Sequence, residues 1–174
     1  MKPQTTPSHS ADNFGTIINA INKKVISCRK IQEIVHAVRT SGKTIGFTNG
    51  CFDCCHLGHI RSLQNAKALC DILIVGVNSD KWIQKHKGSN RPLQDELTRV
   101  TLIASLSFVD YVVVFGSETA LPLVRKIRPD VIAKEGYALE NWPEGRFVNR
   151  IGGQVVTIKR IAGYSTSNLA AKLK

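Results

Sequence analysis

The sequence predicts an α/β fold, in which one domain holds a parallel β-sheet covered by helices on both faces. Short apolar runs alternate with amphipathic segments from residue 44 onward, as strands alternating with helices do. The run "DILIVGVN" at 71–78 is apolar almost without interruption, which is typical of a strand buried on both faces. The length of 174 residues fits a single domain, and its 43% hydrophobic residues can form a core.

The elements can be assigned in order along the chain. Residues 1–25 are rich in Thr, Ser, Asn and Pro, so we expect a flexible N-terminal extension before a domain at 26–174, with Asp12 placed to cap a short helix. Apolar residues at helical spacing predict a helix over 27–43, ended by Gly42. Strands are predicted at 44–49, 71–78, 111–115, 130–134 and 154–159, and helices at 57–70, 95–106, 118–127 and 165–173. This order describes a Rossmann-like domain, which binds its ligand at the carboxyl ends of the strands.

The charge and composition narrow the classes of partner. A formal net charge of +11 indicates an anionic partner, either a nucleotide, a sugar phosphate, a nucleic acid or an acidic membrane. No apolar run approaches the roughly 18 residues of a membrane span, so we expect no membrane partner. Aromatic residues make up 6% and no RNA- or DNA-binding signature appears, so we expect no nucleic-acid partner, although a basic nucleic-acid-binding protein stays an alternative.

The cysteines and the N-terminal residues bear on the compartment. Five cysteines, an odd number, indicate reduced thiols rather than a disulfide framework. The N-terminal residues have no apolar core followed by a small-residue cleavage site, as a secretory signal would. We therefore expect a cytoplasmic location.

The stretch "TNGCFDCCHLGHIRSL" at 48–63 places three cysteines and two histidines within nine residues. A structural zinc site generally draws ligand pairs from two separate elements, whereas these candidates crowd into one strand-to-helix turn. We therefore assign no metal ligand. A redox pair of Cys51 and Cys54 would have the Cys-x-x-Cys spacing at a helix start, but no Trp or Pro frames it.

The histidines of this stretch suggest phosphate binding instead. His56 and His59 are three residues apart, so both can lie on one side of the first helical turn, and Gly58 leaves space for a ligand. A helix N-terminus attracts phosphate, and imidazoles there can donate hydrogen bonds to phosphate oxygens. The alternative is a pair of histidines without a role. Cys54 and Cys55 then need no chemistry and can pack as small apolar residues.

Several motifs together resemble a known family. "TNGCFDCCHLGH" resembles the signature of the HxGH nucleotidyltransferase superfamily. Five further blocks narrow the resemblance to the heptose-1-phosphate adenylyltransferases, over about residues 28–174. They are "GVNSD" at 76–80, "KGSNRPL" at 87–93, "RVTLIASLSFVDYVVVF" at 99–115, "RPDVIAK" at 128–134 and "GYSTS" at 163–167. Two departures stand out: Cys54 and Cys55 replace two leucines, and "KEGY" at 134–137 lacks the aspartate of the usual Lys-Gly-Gly-Asp-Tyr, near the expected acceptor sugar.

The resemblance implies a reaction. The adenylyl group of ATP would pass to D-glycero-β-D-manno-heptose 1-phosphate, releasing pyrophosphate and forming ADP-heptose for lipopolysaccharide or surface glycan. Mg²⁺ would accompany the triphosphate as cofactor, and the partners would be ATP and a sugar 1-phosphate; the sequence leaves a homo-oligomer open. The nearest alternative is a cytidylyltransferase acting on glycerol 3-phosphate or another small phosphorylated alcohol. Class I aminoacyl-tRNA synthetases share His-x-Gly-His, but this chain is short for one and has no recognisable anticodon-binding segment.

The same resemblance implies roles for individual residues. The expected catalytic residues are His56, His59 and Lys87. The expected nucleotide-binding residues are Cys51, Phe52, His56, Gly58, His59, Arg160, Gly163, Ser165 and Thr166. The expected acceptor-binding residues are Asn49, Asp53, Arg99 and Lys134. Simpler interpretations stay open for two of them: Lys87 as a solvated residue of the "KHKGSN" loop, and Arg99 as the partner of Asp95 in a surface ion pair.

Overall fold

The computed structural model describes residues 11–136 and 138–159 and confirms the predicted α/β fold. Its strands are β1 Val25–Ile26, β2 Ile45–Gly50, β3 Ile72–Asn78, β4 Tyr111–Phe115, β5 Val131–Glu135 and β6 Gln154–Ile158. Its helices are α1 Ala11–Lys24, α2 Ile31–Thr40, α3 Leu57–Lys67, α4 Asp80–Lys87, α5 Glu96–Ala104, α6 Leu121–Ile127 and α7 Pro143–Arg150, with a 3₁₀ turn at Leu139–Asn141.

The strands form one six-stranded sheet in the order β1-β4-β3-β2-β5-β6, and every neighbouring pair is parallel. From β2 the chain first builds outward through β3 and β4, then returns to the other side of β2 to form β5 and β6. The direction of winding therefore reverses between β2 and β5. In an open parallel sheet, this reversal leaves a crevice at the carboxyl ends of the strands, where ligands bind.

Two apolar clusters cover the two faces of the sheet, as predicted. Helices α2, α6 and α7 supply one cluster, and helices α3 and α5 supply most of the helical part of the other. Strand β3 contributes to both, because Ile74 points into the first cluster and Val75 into the second. Within the described residues, no helix is both long and apolar enough to cross a membrane.

Three helices differ from the predicted elements. Helix α1 spans 11–24 of the predicted extension, and Lys24 Nζ donates to the Leu106 carbonyl at 3.0 Å; Asp12 lies inside its first turn rather than before it. Helix α7, which begins at Pro143, was not predicted. Helix α4 corrects the predicted "KHKGSN" loop, since Lys87 is the last residue of a helix. The predicted helix at 165–173 lies outside the described residues.

The sequence signal for α4 is a cap rather than an apolar stripe. Ser79 accepts a hydrogen bond from the Trp82 amide at 3.2 Å through its hydroxyl, as an N-cap serine does. Ile83 is the one fully buried residue of the helix. Hydrophobic periodicity alone therefore misses α4, although the cap and the acidic Asp80 in its first turn mark its start.

Candidate active site

The candidate site is a cavity of about 480 Å³ at the carboxyl ends of β2, β3, β4 and β5. Asn49, Cys51 and Lys134 line it from the ends of strands, and Lys87 lines it from the end of α4. These four residues come from three separate stretches of the sequence, and the fold brings them to one cavity. This location matches the crevice left by the reversal of the sheet.

A second cavity, of about 550 Å³, lies at the opposite edge of the sheet, between α2, α6 and the Gly152–Gly153 turn. Its cations include Arg39 and Lys126, each in the last turn of a helix. Basic side chains there complement the negative end of the helix dipole, which accounts for them without a ligand. None of the predicted site residues in the described part of the chain lines it, so we place the functional site at the smaller cavity.

The turn that follows β2 has an unusual backbone. Phe52 and Cys54 have φ angles of 52° and 54°, the left-handed region that residues other than glycine rarely occupy. Phe52 is buried and its ring meets the His59 imidazole edge-on, with the centroids 5.4 Å apart. Cys55 packs against the apolar cluster of α3 and α5, and burial raises the pKa of its thiol. Cys54 lies in the turn instead, so the two cysteines have different surroundings.

The backbone of Cys54 gives a testable prediction about the cysteines. We expect Cys54→Val to destabilise the protein by about 1–2 kcal/mol, because a β-branched side chain is strained at φ 54°. We expect Cys54→Gly to be neutral or stabilising, since glycine occupies this region without strain. Cys55→Val, in the apolar cluster, should stay within about 1 kcal/mol. Urea unfolding of the three variants measures this, and equal effects of Val and Gly at position 54 would contradict it.

Asp53 holds the next loop against this turn. Its carboxylate accepts hydrogen bonds from the Leu93 and Gln94 amides at 2.9 and 3.1 Å and from Arg91 Nη1 at 2.7 Å, and the residue is 3% exposed. All these contacts are to the protein itself. That Asp53 binds the acceptor stays a prediction; in this structure its carboxylate fixes residues 91–94 beside the site.

The two histidines cap helix α3 reciprocally. His56 is the N-cap residue, and its Nδ1 accepts from the His59 amide at 3.4 Å, while His59 Nδ1 accepts from the His56 amide at 3.4 Å. The two rings stack, with centroids 3.8 Å apart and planes at 24°. The same arrangement is usually made by Ser or Thr at the cap and Glu or Gln three residues later. The pair therefore satisfies two backbone amides that the helix start would otherwise leave unpaired.

This capping also fixes the tautomer of each ring. A neutral imidazole carries one proton, and a ring whose Nδ1 accepts a hydrogen bond carries that proton on Nε2. Burial, followed by the charges of His56 and Lys87, lowers the pKa of His59 to about 4, so its ring is neutral at pH 7. His59 consequently presents an N–H donor at Nε2, held in place by its own backbone contact.

The lowered pKa of His59 predicts a loss of stability in weak acid. In the folded protein the ring stays neutral down to about pH 4, whereas the unfolded chain binds a proton below about pH 6.5. The unfolded state therefore binds more protons in this window, and stability falls as the pH falls. We expect His59 to remove about 2 kcal/mol of unfolding free energy between pH 7.5 and pH 5.

Urea unfolding of ligand-free protein at the two pH values measures this effect. His59→Asn should lose about 2 kcal/mol less than the wild type over that interval, because asparagine does not titrate. His36→Asn, which changes an exposed histidine on α2, is the matched control and should keep the wild-type dependence. Identical pH dependence of the wild type and His59→Asn would show that His59 is not held neutral.

The lysines of the cavity differ in their surroundings. Lys87 ends α4 close enough to His59 for its charge to affect that ring. Lys134, in β5, has its pKa lowered by burial, and the negative charge of Glu144 opposes this. In the same cavity, Asn49 has a buried Oδ1 that no donor of the described residues reaches. The cavity thus combines positive charge with an unsatisfied acceptor.

Arg99 is fully buried beneath the site, with 0% exposure. It donates from Nε to the Gln94 carbonyl at 3.1 Å, from Nη1 to the Cys51 and Asn78 carbonyls at 2.6 and 2.8 Å, and from Nη2 to Asp80 Oδ1 at 2.7 Å. That it binds the acceptor phosphate stays a prediction, although the guanidinium is buried and Arg99 is not among the residues that line the cavity. The surface ion pair with Asp95 is absent; Asp95 instead caps α5 through the Thr98 amide.

Some of the remaining predicted site residues lie in the described part of the chain, and others lie outside it. The Cys51 thiol donates to Asn78 Oδ1 at 3.8 Å, and Gly58 is buried in the first turn of α3. Arg160, Gly163, Ser165 and Thr166 lie outside the described residues. Glu135, which departs from the family pattern, lines a separate cavity of about 120 Å³ next to Phe52 rather than the larger one.

Most of the residues that line the cavity were not predicted, and three unpredicted residues bear on its chemistry. Glu144 and Trp82 line the cavity, and Asp80 anchors Arg99. Trp82 stacks on His86 with centroids 4.0 Å apart, and its Nε1 donates to the Glu118 carbonyl at 3.1 Å. The "GVNSD" block already marked Asp80, whereas nothing local in the sequence marks Glu144.

The described part of the chain also bears on metal binding. It contains no group of three or more His, Cys, Asp or Glu side chains arranged to hold a metal ion. All five cysteines are free thiols. A divalent ion at this site would therefore need most of its ligands from another source, such as phosphate oxygens and water.

Comparison with known proteins gives relatives along most of the chain. The Bifunctional protein HldE of Caulobacter vibrioides is 45% identical over 151 residues, which cover 86% of this chain and 31% of that protein. The Bifunctional protein HldE of Campylobacter fetus is 41% identical over 169 residues, covering 95% of this chain and 36% of that protein. The chain thus spans about a third of the length of the curated relatives it matches.

Solved structures show the same fold. The lipopolysaccharide core biosynthesis protein from Thermoplasma volcanium GSS1 is similar with a TM-score of 0.58 and 28% identity, covering 69% of this chain and 99% of that one. The cytidylyltransferase-like family matches residues 47–170, which include the histidine turn and all five further motif blocks in full. With more than half of its residues matched and the HxGH turn built at the head of α3, the chain belongs to the cytidylyltransferase-like family.

Proposed function

We propose that this chain transfers the adenylyl group of ATP to D-glycero-β-D-manno-heptose 1-phosphate, releasing pyrophosphate and forming ADP-heptose. In this reaction an oxygen of the sugar phosphate attacks the α-phosphorus of ATP, and the bond to the pyrophosphate oxygen breaks. A phosphate monoester has a second pKa near 6, so this nucleophile is already mostly ionised at neutral pH. The protein therefore needs no general base; it needs to position two anions and stabilise the charge on the leaving group.

The observation that carries the proposal is the pair of histidines at the start of α3. His59 is neutral and presents an Nε2–H donor, and His56 stacks on it with its own Nδ1 engaged by the backbone. Donors fixed before the reaction stabilise developing charge without the cost of reorienting. Lys87 adds a positive charge from the facing helix. These residues are suited to binding the triphosphate, and the adjoining cavity is suited to binding the acceptor.

Mg²⁺ is part of the proposal as the companion of the triphosphate. The chain offers no cluster of carboxylates and imidazoles for it in the described residues, and Mg²⁺ in phosphoryl-transfer sites is commonly held by substrate oxygens and water. When bound, the ion neutralises charge on the phosphates. The donors of the protein then act on the remaining oxygens.

The acceptor assignment rests on the motifs that resemble the heptose branch and on the relatives. One structural relative is a lipopolysaccharide core biosynthesis protein, and the HldE relatives are named bifunctional. The net charge of +11 suits two anionic substrates. The use of ATP and the five free thiols are consistent with a reaction in the cytoplasm.

The test is pyrophosphate release by purified protein with each pairing of ATP or CTP with heptose 1-phosphate or glycerol 3-phosphate, at matched Mg²⁺. We expect the ATP and heptose 1-phosphate pair to give the highest kcat/KM. Faster turnover with CTP and glycerol 3-phosphate would overturn the assignment of both substrates. No pyrophosphate from any pair would overturn nucleotidyl transfer itself.

A further inference from the structure

Glu144 is a buried carboxylate that the proposed mechanism leaves without a role. It is 5% exposed and lines the cavity, in the first turn of α7. Among the described residues, no hydrogen bond and no ion pair reaches its carboxylate, although Lys134 lies near enough to feel its charge. The residue is largely buried, yet its carboxylate oxygens stay accessible from the cavity, so a ligand there can supply the hydrogen bonds that they lack within the described residues.

Asn49 presents the same chemistry to the same cavity. Its Oδ1 is buried and unsatisfied within the described residues. A carboxylate and an amide oxygen both accept hydrogen bonds, so the ligand between them must donate. A phosphate group at neutral pH is mostly an acceptor, and next to Glu144 it would be repelled. Hydroxyl groups are the donors that an uncharged part of a phosphorylated ligand can offer.

We infer that Glu144, together with Asn49, binds hydroxyl groups of the acceptor and so selects a polyhydroxylated phosphate ester over a short-chain one; this inference rests on the proposed function. The cavity volume of about 480 Å³ leaves space for a sugar-sized group. Lys134 lines the same cavity and supplies positive charge for its phosphate. The acceptor is thereby recognised at both ends, by a cation at the phosphate and by hydrogen-bond acceptors at the hydroxyls.

Glu135 is the carboxylate that the sequence singles out in this region, but it lies elsewhere. It lines the small cavity with Phe52 and Ser62, on the side of β5 that faces α3. Glu144 comes from α7, a helix that periodicity did not predict. The selection of the acceptor therefore depends on a residue outside every motif that carries the family resemblance.

The test uses Glu144→Gln, which keeps the shape of the side chain and removes its charge. Steady-state kinetics should show KM for heptose 1-phosphate raised about 10- to 100-fold, as expected for loss of a charged hydrogen-bond acceptor, with KM for ATP within about twofold. For glycerol 3-phosphate the same substitution should change KM less than threefold. Glu33→Gln, which removes an exposed first-turn glutamate from α2, is the matched control and should leave both constants unchanged.

Binding measured by calorimetry without nucleotide separates this inference from the proposed function. If the wild type releases pyrophosphate but Glu144→Gln keeps its KM and its affinity for heptose 1-phosphate, the inference fails and the function stands. If the wild type releases none, yet Glu144→Gln binds heptose 1-phosphate at least tenfold more weakly, the function fails and the hydroxyl site stands. Should Glu144→Gln not fold, Glu144→Asp withdraws the carboxylate by one methylene, and an unchanged KM for heptose 1-phosphate would overturn the inference.

Discussion

His56→Asn and His59→Asn are each expected to lower turnover about 100-fold while keeping the stability of the wild type at pH 7. The oxygen of an asparagine side chain lies at about the place of imidazole Nδ1, so each variant can still accept the backbone hydrogen bond that caps α3. Neither variant has a donor at the place of Nε2. The loss of one donor to a developing oxyanion typically costs 10²- to 10³-fold in turnover.

Gln variants at the same positions provide the opposite test. The amide nitrogen of glutamine lies near the place of Nε2, so His59→Gln keeps a donor there while weakening the cap. We expect it to retain more turnover than His59→Asn. Steady-state pyrophosphate release and urea unfolding, measured on all four variants, separate the two roles. Near-wild-type turnover in both Asn variants would show that the Nε2 donors are not used, and the proposed site would then be wrong.

The reciprocal capping of α3 explains why the sequence placed both histidines correctly at the start of one helix. A helix start, its cap and its third residue are local features, and His56 and His59 lie within one turn of each other. Strand β3 was equally predictable, because an almost unbroken apolar run is typical of a strand that is buried on both faces of a parallel sheet. Features of this kind depend only on residues that are close together in the chain, so they can be recognised from a single sequence.

Residues whose roles depend on distant partners could not be predicted in the same way. Asp53 contacts a loop about forty residues away, and the Arg99 guanidinium joins atoms up to 48 residues away. Their motif positions were recognised, but motif membership did not distinguish a group that touches a ligand from one that holds the site together. Glu144 belongs to no motif, and its significance comes from its largely buried position at the cavity, where no hydrogen bond from the described residues engages its carboxylate.

Arg99→Ala is expected to lower the free energy of unfolding by about 3–5 kcal/mol, the largest stability effect we predict. The guanidinium is fully buried and satisfies three carbonyls and the Asp80 carboxylate. Removing it leaves those acceptors buried without donors and Asp80 without its counter-charge. Arg99→Lys should recover part of the loss, because an ammonium has three donors and cannot reproduce the planar fork of the guanidinium.

Arg39→Ala is the matched control, since Arg39 also pairs with a carboxylate, that of Asp130 at 3.4 Å, but on the surface. It should cost less than about 1 kcal/mol, as exposed ion pairs do.

The kinetic outcome separates the two views of Arg99. If Arg99 is a buried anchor of the ends of β2 and β3, Arg99→Lys should change kcat and should change KM for ATP and KM for the acceptor by similar factors. The reason is that the whole histidine turn and Lys87 would shift together. If Arg99→Lys instead keeps the wild-type stability and raises KM for the acceptor alone, the guanidinium reaches the acceptor phosphate during the reaction, and the buried arrangement is not the one that binds substrate.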